Sequence, residues 1–280
     1  MDTVRVAAIS LSTIDGQPEA NYARAFAMCR VASAQAHPRV ILLPEAFAAG
    51  YCGTDLSPFA EDVPGPTVDT FVALAGETGA IICFGILEKA PKGVYNSAVV
   101  VDRTGILGIQ RKTHLYYDAN RPYRHEAALL LPGQTLDPID TAIGRVGVLI
   151  CYESTFPENW RVLALKGARF LLMPYNCEGD SLSVVSHLPA ANVIPAVGAN
   201  RTGTVYQGER WMANMGTAFA MDETGKVLGH TAAGVEDILI VDIDLQRARA
   251  ARRQSFQAGT YHNRRPDLYS VLTETTRLPD

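Results

Sequence analysis

Short apolar runs alternate along the chain with longer segments whose apolar residues recur at helical spacing. The apolar runs predict β-strands, because they are rich in Val and Ile and end at Pro, Gly or polar residues. These runs lie at residues 4–9, 40–43, 80–86, 97–101, 106–110, 146–150, 170–173, 197–200, 217–221 and 238–243. The helical spacing predicts helices over residues 22–36, 66–76, 159–167, 187–193 and 245–253. Strands that alternate with helices indicate a layered α/β fold.

Two turn sequences predict hairpins within this alternating pattern. Asp102-Arg-Thr-Gly105 and Asp222-Glu-Thr-Gly225 each follow a predicted strand and end in glycine. Because hairpins add antiparallel strands, each sheet is expected to be mixed. The pattern contains no linker, short-period repeat or low-complexity segment, so we interpret residues 1–280 as one domain. Residues 116–126 have no regular period and predict a long ordered loop of the kind that often carries function.

Cys151 ends one of the predicted strands and precedes polar turn residues and a helix. The carboxyl ends of strands in layered α/β proteins are where ligand crevices open, so a thiol at this elbow is a candidate nucleophile. A free cysteine also packs well as a small hydrophobe, and the local pattern fits a buried structural cysteine equally well. The surrounding stretch alone does not decide between the two roles.

Two further strand ends deliver a carboxylate, Glu45, and an ammonium group, Lys112. With Cys151 they suit acyl transfer at a carbonyl or nitrile carbon: a thiolate attacks, Glu45 takes the thiol proton, and Lys112 with the Tyr152 N–H stabilises the developing oxyanion. Taken singly, the glutamate fits a surface charge or a helix N-terminus, and the lysine fits a solvated rim position. His114 is the one histidine near a strand end, where a structural role and a catalytic one are both open.

Composition narrows the classes of partner. Apolar residues make up 48% of the 280 residues and charged residues 19%, which is enough for a large core. The net charge of −4, without a long run of either sign, argues against nucleic acid or an anionic membrane as a partner. No apolar run is long enough to span a bilayer, and the N-terminus lacks a signal-peptide pattern. Five scattered cysteines without a Cys-x-x-Cys pair suggest no disulfide framework and no zinc site, and favour the cytoplasm.

At these residues the chain closely resembles the nitrilase superfamily of carbon–nitrogen hydrolases, in its amidase-like branch. The resemblance covers nearly the whole sequence and is specific because several short blocks occur in a shared order and spacing. The blocks are Leu42-Leu-Pro-Glu45-Ala-Phe, Arg111-Lys112-Thr-His-Leu115, Gly147-Val-Leu-Ile-Cys151-Tyr-Glu, Phe156-Pro-Glu158, Gly198-Ala-Asn200-Arg and Arg265-Pro-Asp-Leu-Tyr269.

The resemblance implies a fold, a catalytic set and an assembly. Glu45, Lys112 and Cys151 would be the Glu–Lys–Cys triad of the family, and Glu126, six residues before Pro132-Gly133, would be the second glutamate that positions substrate and lysine. The implied fold is a four-layer αββα sandwich of two mixed sheets. Dimers that pair into larger particles and the absence of any cofactor or metal are also implied. The implied reaction is hydrolysis of an amide through a thioester on Cys151, with release of ammonia.

Substrate choice is predicted from two departures from the family pattern. In an ungapped alignment on Asn200, a commonly basic position falls at Leu188 and an accompanying acidic one at Ala191. A substrate carboxylate without a cation would stay desolvated and unpaired, which favours small neutral amides, and we expect aliphatic ones. Arg121 and Arg124 in the loop are the alternative source of a cation, which would restore N-carbamoyl amino acids or ω-amides of dicarboxylic acids as substrates.

The predicted pocket wall rests on position in the chain. Its members are Tyr51, Tyr117, Tyr152 and Asn176, while Cys52 and Cys177 are interpreted as lining or packing residues. True nitrilases of the family often have Trp-Glu after the cysteine, where this chain has Tyr152-Glu153, so amidase is preferred over nitrilase. A non-enzymatic ligand sensor on the same scaffold is a third class, and the intact triad argues against it.

Overall fold

A computed structural model of the chain describes residues 3–117, 125–178, 181–207 and 210–274. The strands are β1 (Thr3–Ile14), β2 (Val40–Leu42), β3 (Ile81–Ala90), β4 (Gly93–Asp102), β5 (Gly105–Arg111), β6 (Val146–Val148), β7 (Phe170–Tyr175), β8 (Ala196–Gln207), β9 (Arg210–Met215), β10 (Phe219–Met221), β11 (Val227–His230) and β12 (Asp237–Asp244). The helices are α1 (Pro18–Ala36), α2 (Pro66–Thr78), α3 (Glu126–Leu129), α4 (Pro157–Leu165), α5 (Ser181–Val185), α6 (Leu188–Asn192) and α7 (Leu245–Ala258).

The first sheet has the order β12–β1–β2–β3–β4–β5. Its strands β1, β2 and β3 are parallel, whereas β12, β4 and β5 join antiparallel, so the sheet is mixed as predicted. The hairpin predicted at 102–105 joins β4 to β5, and Gly105 adopts the positive φ of 131° that this turn requires. Because β4 is antiparallel to both β3 and β5, β5 runs in the same direction as β2 and β3, and the segments after β2 and β5 leave the same edge of the sheet.

The second sheet has the order β6–β7–β8–β10–β11 and is also mixed. Strands β6, β7 and β8 are parallel, and the predicted hairpin at 222–225 joins β10 to β11. The two sheets are continuous at one point, where the end of β1 (Leu11–Ile14) runs parallel to Arg201–Thr204 of β8. This junction fixes how the strand ends of one sheet face those of the other.

Alternation of side chains along the strands builds three apolar layers between four layers of secondary structure. Val6 and Ala8 of β1 face the second sheet and meet Val148 and Leu172 in the central core. Ile9, one residue out of phase, faces α1 and α2 in an outer core. A second outer core packs α4 against β7 and β10, with Trp160 fully buried. The predicted α/β class and αββα sandwich are therefore confirmed.

The element boundaries differ from the predicted ones for identifiable reasons. Helices α1 and α4 begin earlier than predicted because Pro18 and Pro157 occupy the first helical turn, where proline is favourable. Strand β6 ends at Val148, two residues before the predicted end, since the chain then turns toward Cys151. Strands β9 and β11 and helices α3 and α5 were not predicted. In the described part of the chain, no helix is both long and apolar enough to cross a bilayer.

Candidate active site

A cavity of about 360 Å³ opens where the segments after β2, β5, β6 and β7 meet. The residues that line it mix carboxylates, one lysine, thiols and aromatic rings. They are Glu45, Tyr51, Lys112, Tyr116, Glu126, Leu129, Cys151, Tyr152, Ser154, Thr155, Tyr175, Asn176, Cys177, Glu178, Ser181, Val184 and Val185. The first sheet and the loop after it supply a charged wall (Glu45, Lys112, Glu126), and the second sheet supplies a thiol wall (Cys151, Asn176, Cys177). All four residues predicted to be catalytic line one cavity.

Lys112 lies at the centre of the charged wall between two carboxylates. Its Nζ is 2.7 Å from Glu45 Oε1 and 2.7 Å from Glu126 Oε1. The Lys112 and Glu45 side chains are each only 1% exposed. Burial alone would lower the pKa of Lys112, but the charges of Glu126, Glu45 and Cys151 outweigh it and raise that pKa above its ordinary value. Lys112 is therefore a permanent ammonium group at neutral pH.

Glu45 Oε1 is held by further donors, whereas its second oxygen is not. Tyr51 donates its hydroxyl to Glu45 Oε1 at 2.9 Å, and Asn96 Nδ2 donates to the same oxygen at 2.6 Å. Burial and the charges of Glu126 and Glu45 raise the pKa of Tyr51 well above its ordinary value, so the hydroxyl keeps its proton. Among the described residues nothing donates to Glu45 Oε2, which is buried. One carboxylate oxygen is thus fixed and the other is available.

The backbone around Glu45 is fixed by both sheets. The Gly85 N–H donates to the Pro44 carbonyl, and a Cβ at Gly85 would lie only 2.5 Å from Ala46 N, so this close packing requires glycine. On the other side, the Glu45 N–H donates to the carbonyl of Tyr175, the last residue of β7. This bond places the carboxylate of the first sheet beside the strand end that leads to Asn176.

Glu126 is positioned by the first turn of α3 and by the segment that follows Lys112. Its Oε2 accepts the Tyr116 N–H at 2.6 Å, and its own N–H donates to the Tyr116 carbonyl at 3.0 Å. The Lys112 N–H donates to the Asn96 carbonyl, which fixes the backbone from which the ammonium group projects. Both oxygens of Glu126 are therefore paired, unlike those of Glu45.

Cys151 begins a 3₁₀ turn, Cys151–Thr155, directly beyond β6. Its φ of 49° lies in the left-handed region, which is unusual for a residue with a side chain and is typical of functional positions. The first N–H groups of such a turn have no partner within it, so the N–H of Tyr152, which lines the cavity, is a candidate donor to a ligand. The predicted strand-to-helix elbow is thus a sharp, strained turn.

The thiol of Cys151 rests in its neutral form. Interaction with the Cys177 thiol, burial and the charge of Glu45 together raise the pKa of Cys151 well above its ordinary value, against a smaller opposing effect of Lys112. The Cys151 thiol therefore needs a base before it can attack. Glu45 contributes to this raised pKa and lines the same cavity, which makes it the candidate base.

Glu153 connects the two walls and was not predicted. Its Oε1 accepts the N–H and hydroxyl of Thr113 at 2.8 and 2.6 Å, and its Oε2 accepts the Ile150 N–H at 2.7 Å. Thr113 follows Lys112, and Ile150 precedes Cys151. One fully buried carboxylate thus holds the lysine and cysteine segments together, and burial raises its pKa despite these hydrogen bonds.

Three of the four predicted wall residues line the cavity: Tyr51, Tyr152 and Asn176. The prediction for Tyr117 is wrong, because its side chain is 56% exposed and packs on the His125 ring. Its neighbour Tyr116 takes the place instead, with its ring edge-on to Tyr152 at 5.2 Å. An aperiodic loop gave no signal to distinguish the two adjacent tyrosines.

The other residues singled out in the sequence differ in their position relative to the cavity. Of the two cysteines considered as lining residues, Cys177 lines the cavity, whereas Cys52 is not among its described lining residues. His114 packs against Phe156 and contacts Thr113, outside the described lining, and burial lowers its pKa. Leu188 is buried in an outer core, so its alignment to a pocket position was wrong. Arg121 and Arg124 lie outside the described residues.

The described residues contain no group of three or more His, Cys, Asp and Glu side chains that could hold a metal ion. Asn96, Glu153 and Tyr116 are the functional contacts that sequence reasoning missed. Asn96 carried a weak signal, as a polar residue at the edge of an apolar run. The other two depend on tertiary contacts between distant segments.

Comparisons with known proteins identify the family of the chain. A family model described as carbon-nitrogen hydrolase matches residues 5–253, so the chain belongs to the carbon–nitrogen hydrolase family. It is 31% identical over 291 residues to an N-carbamoylputrescine amidase of Solanum lycopersicum, covering 96% of this chain and 94% of the relative. A nitrilase of Pyrococcus abyssi is 30% identical over 278 residues, covering 95% and 99%. The carbon-nitrogen hydrolase of Helicobacter pylori G27 has a similar structure, with a TM-score of 0.86 at 24% identity over 97% of this chain and 99% of that one.

The predicted membership in the nitrilase superfamily is confirmed by these matches. The protein is a hydrolase that acts on carbon–nitrogen bonds. The relatives themselves are named for different substrates, an N-carbamoyl amine and a nitrile, so the family does not fix the substrate of this chain.

Proposed function

We propose that the protein is a thiol amidohydrolase that cleaves small amides to a carboxylic acid and ammonia through a thioester on Cys151. The proposal rests on one observation: the two oxygens of the Glu45 carboxylate differ in their hydrogen-bond partners. Oε1 accepts hydrogen bonds from Lys112, Tyr51 and Asn96, whereas the buried Oε2 accepts none from the described residues. An unpaired carboxylate oxygen on the cavity that holds a neutral thiol is suited to take its proton.

The first half-reaction forms the thioester. Cys151 Sγ attacks the amide carbon while Glu45 Oε2 accepts the thiol proton, and the oxyanion is stabilised by Lys112 and the Tyr152 N–H. A fixed ammonium group in a buried site needs no reorganisation as charge develops, and this kind of stabilisation is usually the largest single contribution to catalysis. Glu45 then returns the proton to nitrogen, and ammonia leaves.

The second half-reaction hydrolyses the thioester. Glu45, again unprotonated, takes a proton from water, which attacks the acyl carbon, and the same two donors hold the second oxyanion. Collapse breaks the carbon–sulfur bond, and Cys151 recovers its proton from Glu45. Glu126 keeps Lys112 aimed at the cavity throughout, since each carboxylate lies 2.7 Å from the ammonium nitrogen.

The charges of the described lining support a substrate without a carboxylate. Lys112 is the one cation among them, and it is already paired with Glu45 and Glu126. Glu178 adds a further carboxylate to the lining. A carboxylate-bearing substrate would enter against net negative charge, at a cost of several kcal/mol if it remained unpaired. We therefore propose small neutral amides over N-carbamoyl amino acids and ω-amides of dicarboxylic acids.

A carbamoyl amine is the second candidate. Its support is the similarity to an N-carbamoylputrescine amidase, together with the excess of carboxylates over cations among the described lining residues, which favours a positively charged end group. This candidate differs from the first in the charge of the substrate tail and not in the chemistry at sulfur.

Ammonia release over a substrate panel tests the proposal. The panel contains short aliphatic amides, N-carbamoylputrescine, N-carbamoyl-β-alanine, glutaramate and simple nitriles. We expect kcat/KM to be highest for the neutral amides and lowest for the two anionic compounds. Highest activity on N-carbamoylputrescine would select the second candidate, and highest activity on an anionic compound would contradict both.

Cys151→Ala and Cys52→Ala serve as a matched pair in this assay. The first removes the proposed nucleophile, and the second removes a cysteine outside the described lining. Ammonia release that survives in Cys151→Ala would contradict a thioester mechanism. Assembly as a homodimer or larger homo-oligomer and a cytoplasmic location are further proposals, and light scattering of the purified chain tests the first.

A further inference from the structure

Cys177 stands beside the proposed nucleophile but has no step in the mechanism. Strands β6 and β7 are parallel neighbours, with Val148 beside Leu172, so the segments that follow them leave the sheet side by side. Cys151 and Cys177 both line the cavity, and each thiol shifts the pKa of the other.

The Cys177 thiol is held in this place by its surroundings. Its Sγ lies 2.9 Å from Ser181 Oγ, and Asn200 Nδ2 donates to it at 3.6 Å. The Cys177 backbone is fixed as well, because its N–H donates to Asn200 Oδ1 and its carbonyl accepts from Asn200 Nδ2. A second thiol is therefore presented to Cys151 by an ordered network.

We propose that Cys151 and Cys177 form a redox modification site, in which a hydroperoxide converts the two thiols to a disulfide that reversibly blocks the nucleophile. The inference rests on the proposed function only for its effect on amide hydrolysis. Formation of the disulfide itself needs no substrate.

The chemistry balances with the peroxide as oxidant. The Cys177 thiolate attacks one peroxide oxygen and the O–O bond breaks. The departing oxygen takes up the proton that Cys177 lost on ionisation, so the products are Cys177 sulfenic acid and water or an alcohol. Cys151 Sγ then attacks the sulfenic sulfur while Glu45 takes the thiol proton and delivers it to the departing hydroxide. The S–S bond forms and a second water leaves. Two thiols are oxidised, and one peroxide is reduced.

The order of attack follows from the surroundings of the two sulfur atoms. The contact with Cys151 and the hydrogen bonds from Ser181 and Asn200 lower the pKa of Cys177, despite its burial. Cys177 therefore carries the larger thiolate fraction, and the thiolate is the species that peroxide oxidises. Burial raises the pKa of Cys29 and Cys83 to about 12, so these cysteines are poor competitors.

To test this inference, the purified wild-type chain is treated with equimolar hydrogen peroxide, and all free thiols are then alkylated in denaturant. We expect two fewer alkyl groups than in the untreated alkylated chain, and a peptide that links Cys151 to Cys177 and is lighter by two hydrogens than its two thiol peptides together. Amidase activity should fall about tenfold and return with dithiothreitol. Mass and activity are measured on the same sample before and after treatment. A chain that has no amidase activity before treatment but forms the disulfide on treatment would overturn the proposed function and leave this inference standing.

Cys177→Ser and Cys52→Ser are the variants, each compared with its own untreated sample. In Cys177→Ser we expect peroxide to add oxygen to Cys151 and to form no disulfide. The fraction of the lost amidase activity that dithiothreitol restores should be about tenfold smaller than in wild type. Cys52→Ser should behave as wild type. The same mass pattern in wild type and Cys177→Ser, or a disulfide that joins other cysteines, would overturn the inference.

Discussion

The two walls of the cavity are organised in opposite ways. On the charged wall, Lys112, Glu45 and Glu126 are buried and joined by contacts of 2.7 Å. On the thiol wall, Cys151 is neutral and held at a strained φ of 49°. The groups that stabilise charge are thus preorganised before substrate arrives, whereas the group that attacks stays unactivated.

This difference has a physical reason. Ions taken out of water are costly unless their partners are fixed, so the charged wall must be built completely by folding. A thiol costs little to bury, and a resting thiolate would add a further negative charge beside Glu45. The comparison leads to four predictions, from the largest expected effect to the smallest.

Replacing the nucleophile should have the largest effect. Cys151→Ala should lower kcat/KM for the best amide by about 10⁴-fold or more, because no other group in the mechanism forms the thioester. Cys177→Ser is the matched change on the same wall and should retain most of that activity. Steady-state ammonia assays measure both. Equal losses in the two variants would contradict the distinction between nucleophile and neighbour.

Removing the central cation should damage both activity and stability. Lys112→Gln should reduce kcat about 10³-fold through loss of oxyanion stabilisation. It also leaves two buried carboxylates without their partner, which we expect to lower the free energy of unfolding by about 3–5 kcal/mol. Urea denaturation and ammonia assays give the two values. Lys89→Gln, at an exposed lysine, is the control and should change neither.

Glu126 should matter less, because it acts through Lys112. Glu126→Gln keeps the shape and one acceptor for the Tyr116 N–H but loses the negative charge beside the ammonium group. We expect kcat to fall about 10- to 100-fold, with a smaller change in KM. The exposed Glu158→Gln variant should match wild type. A loss confined to KM would instead assign Glu126 to substrate binding.

The two thiols should ionise in a fixed order. The pKa of Cys151 is raised and that of Cys177 is lowered, so at a given pH the thiolate fraction is smaller for Cys151. Alkylation by iodoacetamide between about pH 6 and 10 should therefore reach half its plateau rate at a lower pH for Cys177. At neutral pH we expect the alkylation rate, as a fraction of its plateau value, to be several-fold higher for Cys177 than for Cys151. Peptide mass spectrometry follows each site, and the reverse order would mean that the charged wall holds a resting Cys151 thiolate.

The sequence pattern was sufficient for the parts of the site that depend on strand ends. Glu45, Lys112 and Cys151 each follow an apolar run, and the parallel and hairpin connections bring such ends together. The fold class followed from the same alternation. Proline at the first helical turn explains the early starts of α1 and α4 and was readable in the sequence.

The remaining parts depend on tertiary contacts that no local pattern encodes. Glu153 joins Thr113 to Ile150, and Asn96 reaches Glu45 from a different strand, so neither role follows from sequence spacing. The choice of Tyr117 over Tyr116 was wrong by one residue in an aperiodic loop. The interpretation of Leu188 depended on an ungapped alignment on Asn200, whereas the structure buries Leu188 at the start of α6 in an outer core.

Direct trapping of the acyl-enzyme tests the central claim, that Cys151 attacks with Glu45 as base beside Lys112. Wild-type protein is mixed with its best amide and quenched in acid within the first turnovers, and the peptides are analysed by mass spectrometry. We predict one acyl group on Cys151 that hydroxylamine removes, and a slower appearance of that group in Glu45→Gln. Ammonia release with no acyl group on Cys151, or with the acyl group on another residue, would contradict the account.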